Sequence, residues 1–333
     1  MSYSVSLLDK SPIPTGATAA EALAHTVKLA RRADQLGYKR FWVAEHHGTP
    51  FLASSAPEVL AAYLLAATSR IRIGTGGVML QHYSPFKVAE AFRVLENLAP
   101  GRVDLGVGKA PGGLPHATQA LQAFHDKAIK PDFDTALEQL DGFLKGPLPA
   151  PHPLSKAQPK PEIAGLPERF LLGASPESAA LAARLDWDFC YAGHFNGDPD
   201  QIERTFAAYR PASGRRPQLA LFAVAAPTRE RAAELAGELR LFTLHLTGGQ
   251  RVNLPTLEGV ENFVREAGVS DYHVEEKRPH VIADTPERVR GELDALAQRF
   301  GVGEFIIDNP VPSFADRLAS VELLGEAALA RAA

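Results

Sequence analysis

Residues 3–45 read YSVSLLDKSPIPTGATAAEALAHTVKLARRADQLGYKRFWVAE, and this stretch sets the architecture. The apolar run 3–9 suits a strand. In 20–36, Leu23, Val27, Ala30, Ala33 and Leu36 recur at helical spacing. Gly37 stands where a helix C-cap glycine is expected, and 40–45 is a second strand. A strand, a helix and a strand in so short a span make a βα unit of a parallel sheet.

The unit repeats along the chain. A helix is expected over 57–68, and the β-branched run 71–80 is broken by Gly74, Gly76 and Gly77. A helix follows over 85–98, with Ser84 as N-cap and Pro100-Gly101 as its stop, and 103–107 is the fourth strand. Strands at 169–173, 188–192, 219–225 and 304–308 alternate with helices at 176–185, 199–209, 229–246, 286–300 and 314–330; Thr285 and Pro286 open the fourth of these helices. Eight strands alternating with helices predict one α/β domain over 1–333, a (β/α)8 TIM barrel with insertions. A doubly wound sheet is the alternative, but no G-x-G-x-x-G turn opens a helix near the N-terminus. Two stretches interrupt the repeat. Residues 146–161 are proline-rich and read as a surface connection, and 248–283 reads as an insertion before the last βα unit, a candidate lid.

Composition excludes several classes. Lys plus Arg number 35 against 39 Asp plus Glu, a net charge of −4, which lacks the basic excess of a nucleic-acid or anionic-membrane surface. The lone Cys190 permits no internal disulfide and no thiolate metal cluster, as in a reducing cytoplasm. The N-terminal residues do not read as a signal peptide, and no window approaches 18 uncharged apolar residues. The expectation is a cytoplasmic protein.

In a barrel, chemistry collects at the C-terminal ends of the strands. The second strand ends in Glu45-His46-His47-Gly48. Side chains alternate, so Trp42, Ala44 and His46 share one face, with small Ala44 leaving room for a flat ligand. His46 then reads as an acid, base or hydrogen-bond donor, or simply as a polar strand end. A metal is not expected, because adjacent histidines on a strand point apart and no H-E-x-x-H occurs. The glycines of the third strand mark a close backbone approach or a barrel corner. At the fourth, Gly108-Lys109 lacks the hydroxyl of a P-loop and leaves one cation at a strand end: an anion site or a surface lysine. Ser175 and Ser178 open a helix after the fifth strand, where they cap it or leave N–H groups free for a phosphate. Asp9, His82 and His194 are further candidates for the substrate pocket.

WVAEHH, IGTGGVML, PGRVDLGVGKAPG and LLGASPESAALAARL together resemble the bacterial luciferase-like flavin monooxygenases, and most closely their single-chain members of unassigned substrate. The resemblance is dense over residues 1–200 and returns at 284–289. It implies a (β/α)8 barrel, a homodimer, and reduced FMN or, in one branch, a deazaflavin coenzyme. His46 matches the catalytic histidine, and Gly76-Gly77 the non-proline cis peptide under the flavin ring. Lys109 matches the basic residue that pairs with the flavin phosphate, often Arg in the family, and Ser175 and Ser178 match the phosphate-binding hydroxyls. Luciferase itself has Cys where Gly108 stands and Glu where Ala174 stands, so light emission is not implied.

The expected activity is a two-component monooxygenase. A separate flavin reductase would supply reduced FMN, and dioxygen and a small apolar aldehyde, ketone or similar compound would react at the barrel mouth. A deazaflavin-dependent hydride transfer is the alternative; it needs positive charge for a longer anionic tail, which Lys109, Lys127 and Lys130 could offer. A flavin-binding protein without turnover is the third reading.

Overall fold

The computed structural model describes residues 3–126, 128–247, 249 and 251–329. Lys127 lies outside the described residues, as do Gly248 and Gln250 of the expected insertion. Eight parallel strands close a barrel: Ser4–Asp9, Arg40–Val43, Arg72–Thr75, Val103–Gly108, Glu168–Gly173, Asp188–Ala192, Gln218–Ala225 and Glu304–Asp308. The first pairs with the second through Leu7↔Phe41 and with the eighth through Ser4↔Glu304. The seventh completes the ring between the sixth and the eighth. Helices cover the outside, and the main core lies between them and the outward strand residues, including Phe41, Val43, Leu105 and Ile307. The (β/α)8 barrel expected from the sequence is the observed fold.

Local chemistry explains many of the boundaries. Thr18 and Glu21 form a reciprocal capping box on the helix Ala19–Leu36, and Gly37 closes it at φ 87°. Ser84 and Thr285 stand at N-cap positions, but neither side chain caps its helix. Two helices that the sequence reading did not place, Pro115–Leu121 and Phe133–Lys145, lie between the fourth and fifth strands; Asp132 caps the second by accepting from Thr135 N at 2.8 Å. Residues 146–161 are irregular, with cis bonds at Ala150-Pro151 and Lys160-Pro161. They lead into the fifth strand at the end away from the mouth.

One element differs in kind. The helix expected over 229–246 stops at Ala236, and Leu241–Leu246 is a strand. Leu235, Leu239, Phe242 and Leu246 sit at helical spacing, so periodicity carries the helix too far. Gly237 breaks it at φ 59°, and pairing with two other strands decides the rest. Leu241–Leu246 is the centre of an antiparallel sheet with Arg251–Leu254 and Tyr272–Lys277, backed by the helix Leu257–Ala267. Phe242, Leu244, Val252, Leu254, Val260 and Phe263 form its own core. The excursion therefore begins before 248, and its last residues belong to the barrel, since Val281–Asp284 pairs in parallel with the upper half of the seventh strand. No helix among the described residues is long and apolar enough to cross a membrane.

Candidate active site

Strand alternation builds the barrel interior in layers. The lowest is polar. Arg40, buried at 1% exposure, bonds Glu304 at 2.6 Å and Asp104 at 2.7 Å, and Trp42 Nε1 donates to Asp104 at 3.0 Å. Gln218 donates to Glu304 at 3.1 Å. Above it Leu8, Trp42, Phe170, Cys190, Ala220 and Ile306 form an apolar plug, joined by Ala44. Burial pushes the Cys190 thiol far up, which makes it an inert part of that plug.

On the plug stands the mouth. The second strand brings Ala44 and His46 to it, on the face shared with Trp42. The Gly76-Gly77 peptide is cis. A Cβ on Gly76 would stand 2.9 Å from Leu8 Cδ1 and 3.0 Å from Trp42 Cε3, and one on Gly77 would stand 2.8 Å from the Gly106 backbone. Only bare backbone fits there. With Ala44 and Gly108 it leaves a floor free of large side chains.

Glu45 holds this floor from outside the barrel. It is buried; its Oε2 accepts Met79 N–H at 2.9 Å, and its Oε1 lies 2.7 Å from His47 Nε2 and accepts Tyr83 OH at 2.8 Å. The carboxylate thus ties the end of the second strand to the segment after the third, and the backbone bond from His47 N to Gly112 O at 2.7 Å ties it to the loop after the fourth.

His46 faces the mouth without a partner for Nδ1 among the described residues. Its pKa is pushed down to about 4, first by burial, then by the charge of Lys10, with His47 and His194 adding to the lowering and Asp308 opposing it. Lys10 Nζ lies 2.5 Å from Asp308 Oδ2, 5.4 Å from the Phe222 ring centre and 6.0 Å from that of Phe195. His194 is buried between the same rings, at 4.0 Å from Phe195 and 5.6 Å from Phe222. Burial and Lys10 hold it well below the usual imidazole range. Both histidines are therefore neutral at neutral pH.

Lys109 is exposed at the rim after the fourth strand, its Nζ 5.5 Å from the Phe133 ring centre. Ser175 caps the helix Pro176–Arg184 by accepting from Ser178 N at 3.3 Å, and the two hydroxyls are also 3.3 Å apart. The structure thus gathers His46, Ala44, Gly76, Gly77 and His194 at the mouth, with Lys109, Ser175 and Ser178 on the ends of the fourth and fifth strands.

Two expected pocket residues lie elsewhere. Asp9 follows Leu8, which faces inward, so Asp9 turns out towards the helices. It accepts from Thr26 Oγ1 at 2.5 Å and pairs with Arg317 at 3.1 Å. His82 has both ring nitrogens engaged, by Pro111 O at 2.7 Å and Gln122 Nε2 at 2.9 Å, and clamps the loop after the fourth strand. Sequence reasoning missed Glu45, Lys10 and Asp308 as site residues. The parity that placed His46 inward also puts Lys10 inward, two positions after Leu8.

Among the described residues no group of three or more His, Cys, Asp or Glu could hold a metal ion. A sequence profile described as luciferase-like monooxygenase matches residues 1–325. The N-acetyl-S-alkylcysteine monooxygenase of Bacillus subtilis (strain 168) is 42% identical over 330 residues, 98% of each chain. The crystal structure of apo-MsnO8 superposes with a TM-score of 0.78 at 32% identity, over 98% of each chain. Two more distant structures share the fold. The FMN complex of the oxygenating constituent of 3,6-diketocamphane monooxygenase from Pseudomonas putida has a TM-score of 0.71 at 18% identity, over 98% of this chain and 97% of that one. An F420-dependent secondary alcohol dehydrogenase has 0.68 at 16%, over 98% and 99%. The (β/α)8 barrel and the match along nearly the whole length lead to one conclusion: the chain belongs to the luciferase-like monooxygenase family.

Proposed function

We propose that the protein is a reduced-FMN-dependent monooxygenase of the cytoplasm that receives its flavin from a separate reductase. The carrying observation is the bare floor of Ala44 and Gly76-Gly77 beneath a neutral, unpartnered His46. Gly76-Gly77 packs its bare backbone against Leu8, Trp42 and Gly106 and raises no side chain over the floor, so a planar ring system would lie on it, and His46, whose Nδ1 has no partner among the described residues, supplies a polar group beside it. Lys109 would hold the phosphate as a point charge, with the hydroxyls of Ser175 and Ser178 and the first N–H groups of the helix Pro176–Arg184. Reduced flavin, when bound, supplies the activation of dioxygen that the side chains cannot perform.

The chain's own part is positioning and proton handling. The apolar plug and the buried Phe222 exclude water. His46, neutral at neutral pH, takes or returns a proton through Nε2, since Nδ1 is buried. The substrate is a compact organic molecule held above the ring. An N-acetyl-S-alkylcysteine, named for the Bacillus relative, is the first compound to test beside aldehydes and ketones. A deazaflavin is the second reading; its longer anionic tail would draw on Lys109 and on Lys130, whose Nζ donates to Gln122 Oε1 at 2.8 Å. A homodimer is favoured by the exposed Val59 and Tyr63 of the helix Pro57–Ala67, next to Val94 and Leu98 of Pro85–Leu98.

Anaerobic titration with reduced FMN and with a reduced deazaflavin, followed by product analysis under isotopic dioxygen, tests the reading. FMN should bind, and label should enter the product. His46→Asn should lower coupled product formation by roughly 100-fold while FMN affinity is retained. Tight binding of the deazaflavin alone, or full coupled turnover in the variant, would overturn it.

A further inference from the structure

Beside the floor and its histidine, a charge pair joins the ends of the first and eighth strands. We infer that Lys10 and Asp308 are positioning residues that set the protonation of His46, an inference that rests on His46 being the proton-handling group.

The strand register places them. Asp9 stands opposite Val43, and Ala44 N donates to Asp9 O at 3.0 Å. Lys10 is therefore the inward neighbour of Ala44, one step below His46. Asp308 ends the eighth strand, opposite Leu8, and meets Lys10 Nζ at 2.5 Å. The other elements around His46 add little charge. The third and fourth strands present Gly76 and Gly108, and the fifth presents Leu172 and Ala174. The sixth brings neutral His194, and the seventh Phe222. On its own segment, His47 is turned away to Glu45. Lys109 is out at the rim.

The pair has two opposed effects in a pocket whose aromatic walls weaken screening. The ammonium repels a proton from His46 and adds to the burial that keeps the resting imidazole neutral. The carboxylate offers a counter-charge when the imidazole takes a proton during turnover. Neither group alone gives both. Without Asp308 an imidazolium would face a bare cation; without Lys10 the imidazole, still neutral at rest through burial, would take up a proton at a higher pH.

The test uses proton titration of the protein without cofactor, by NMR on ring-labelled histidine. His46 is assigned by the resonance that His46→Asn removes. Lys10→Met should raise the His46 midpoint by about one pH unit. Asp308→Asn should lower it further, and the double variant Lys10→Met/Asp308→Asn should fall between the single variants. The double variant removes both charges together, so it remains informative if either single variant fails to fold. A His46 midpoint that does not move in any of them overturns the inference. The acid limb of coupled product formation should move with the midpoint. Midpoints that move while the acid limb stays would leave the electrostatics intact and overturn the catalytic reading of His46.

Discussion

His46 and His194 show what burial does to an imidazole when little compensates for it. The folded midpoint of His46 is near 4, against 6.5 when exposed, and that of His194 is also well below 6.5. Between those values the unfolded chain binds more protons than the folded one, so stability rises with pH across the window. It is lost as pH falls from about 6.5 towards 4. Urea midpoints measured at pH 7 and pH 5 should therefore drop at the lower pH, and the double variant His46→Asn/His194→Phe should drop less. An equal drop in both proteins would refute the assignment. His46 was readable because it ends a run whose alternation is visible in Trp42 and Ala44. Asp9 was misplaced because chemistry was read at a strand end without extending the parity of Leu8 to it. His82 was misplaced because its partners, Pro111 and Gln122, come from a loop and a short helix whose path no local pattern specifies.

At the scale of elements, the ends of the second and third strands meet on one carboxylate. Glu45→Leu removes the acceptor of Met79 N–H and Tyr83 OH and the partner of His47, all at buried or half-buried positions. The expected cost is roughly 2–4 kcal/mol, and the floor at Gly76-Gly77 should loosen with it. Chemical denaturation beside FMN titration checks both, and Glu45→Gln, which keeps an acceptor oxygen, should lose less. Most elements were legible because their signals are local: Thr18 with Glu21, Gly37, and the β-branched strand runs. The stretch after Ala236 was not, because an amphipathic run can satisfy either period and its partners lie in Arg251–Leu254 and Tyr272–Lys277. That small sheet rests on the mouth side. His116 N donates to Glu266 at 3.0 Å, joining its helix to the segment that follows the fourth strand.

For the whole molecule, the barrel was visible in the eight-fold alternation, while its outward associations were not. The helix Pro57–Ala67 buries Ala61, Leu64 and Leu65 yet exposes Val59 and Tyr63, at 66% and 62%. Apolar side chains on both faces of a helix imply a second covering surface. Equilibrium sedimentation should return twice the chain mass of 35.8 kDa. The double variant Tyr63→Asp/Val94→Asp should return the single mass, and an unchanged mass would remove this face from the interface.

The buried Arg40 cluster has a consequence for traffic. With that end of the barrel corked by ion pairs and the layer above it packed with Trp42 and Phe170, the vessel has one doorway. Whatever lies deepest must enter first and depart last. A flavin on the floor would board before its organic companion, and spent flavin would wait behind the product. The order of events would then follow from the shape of the container, before any difference in affinity is considered.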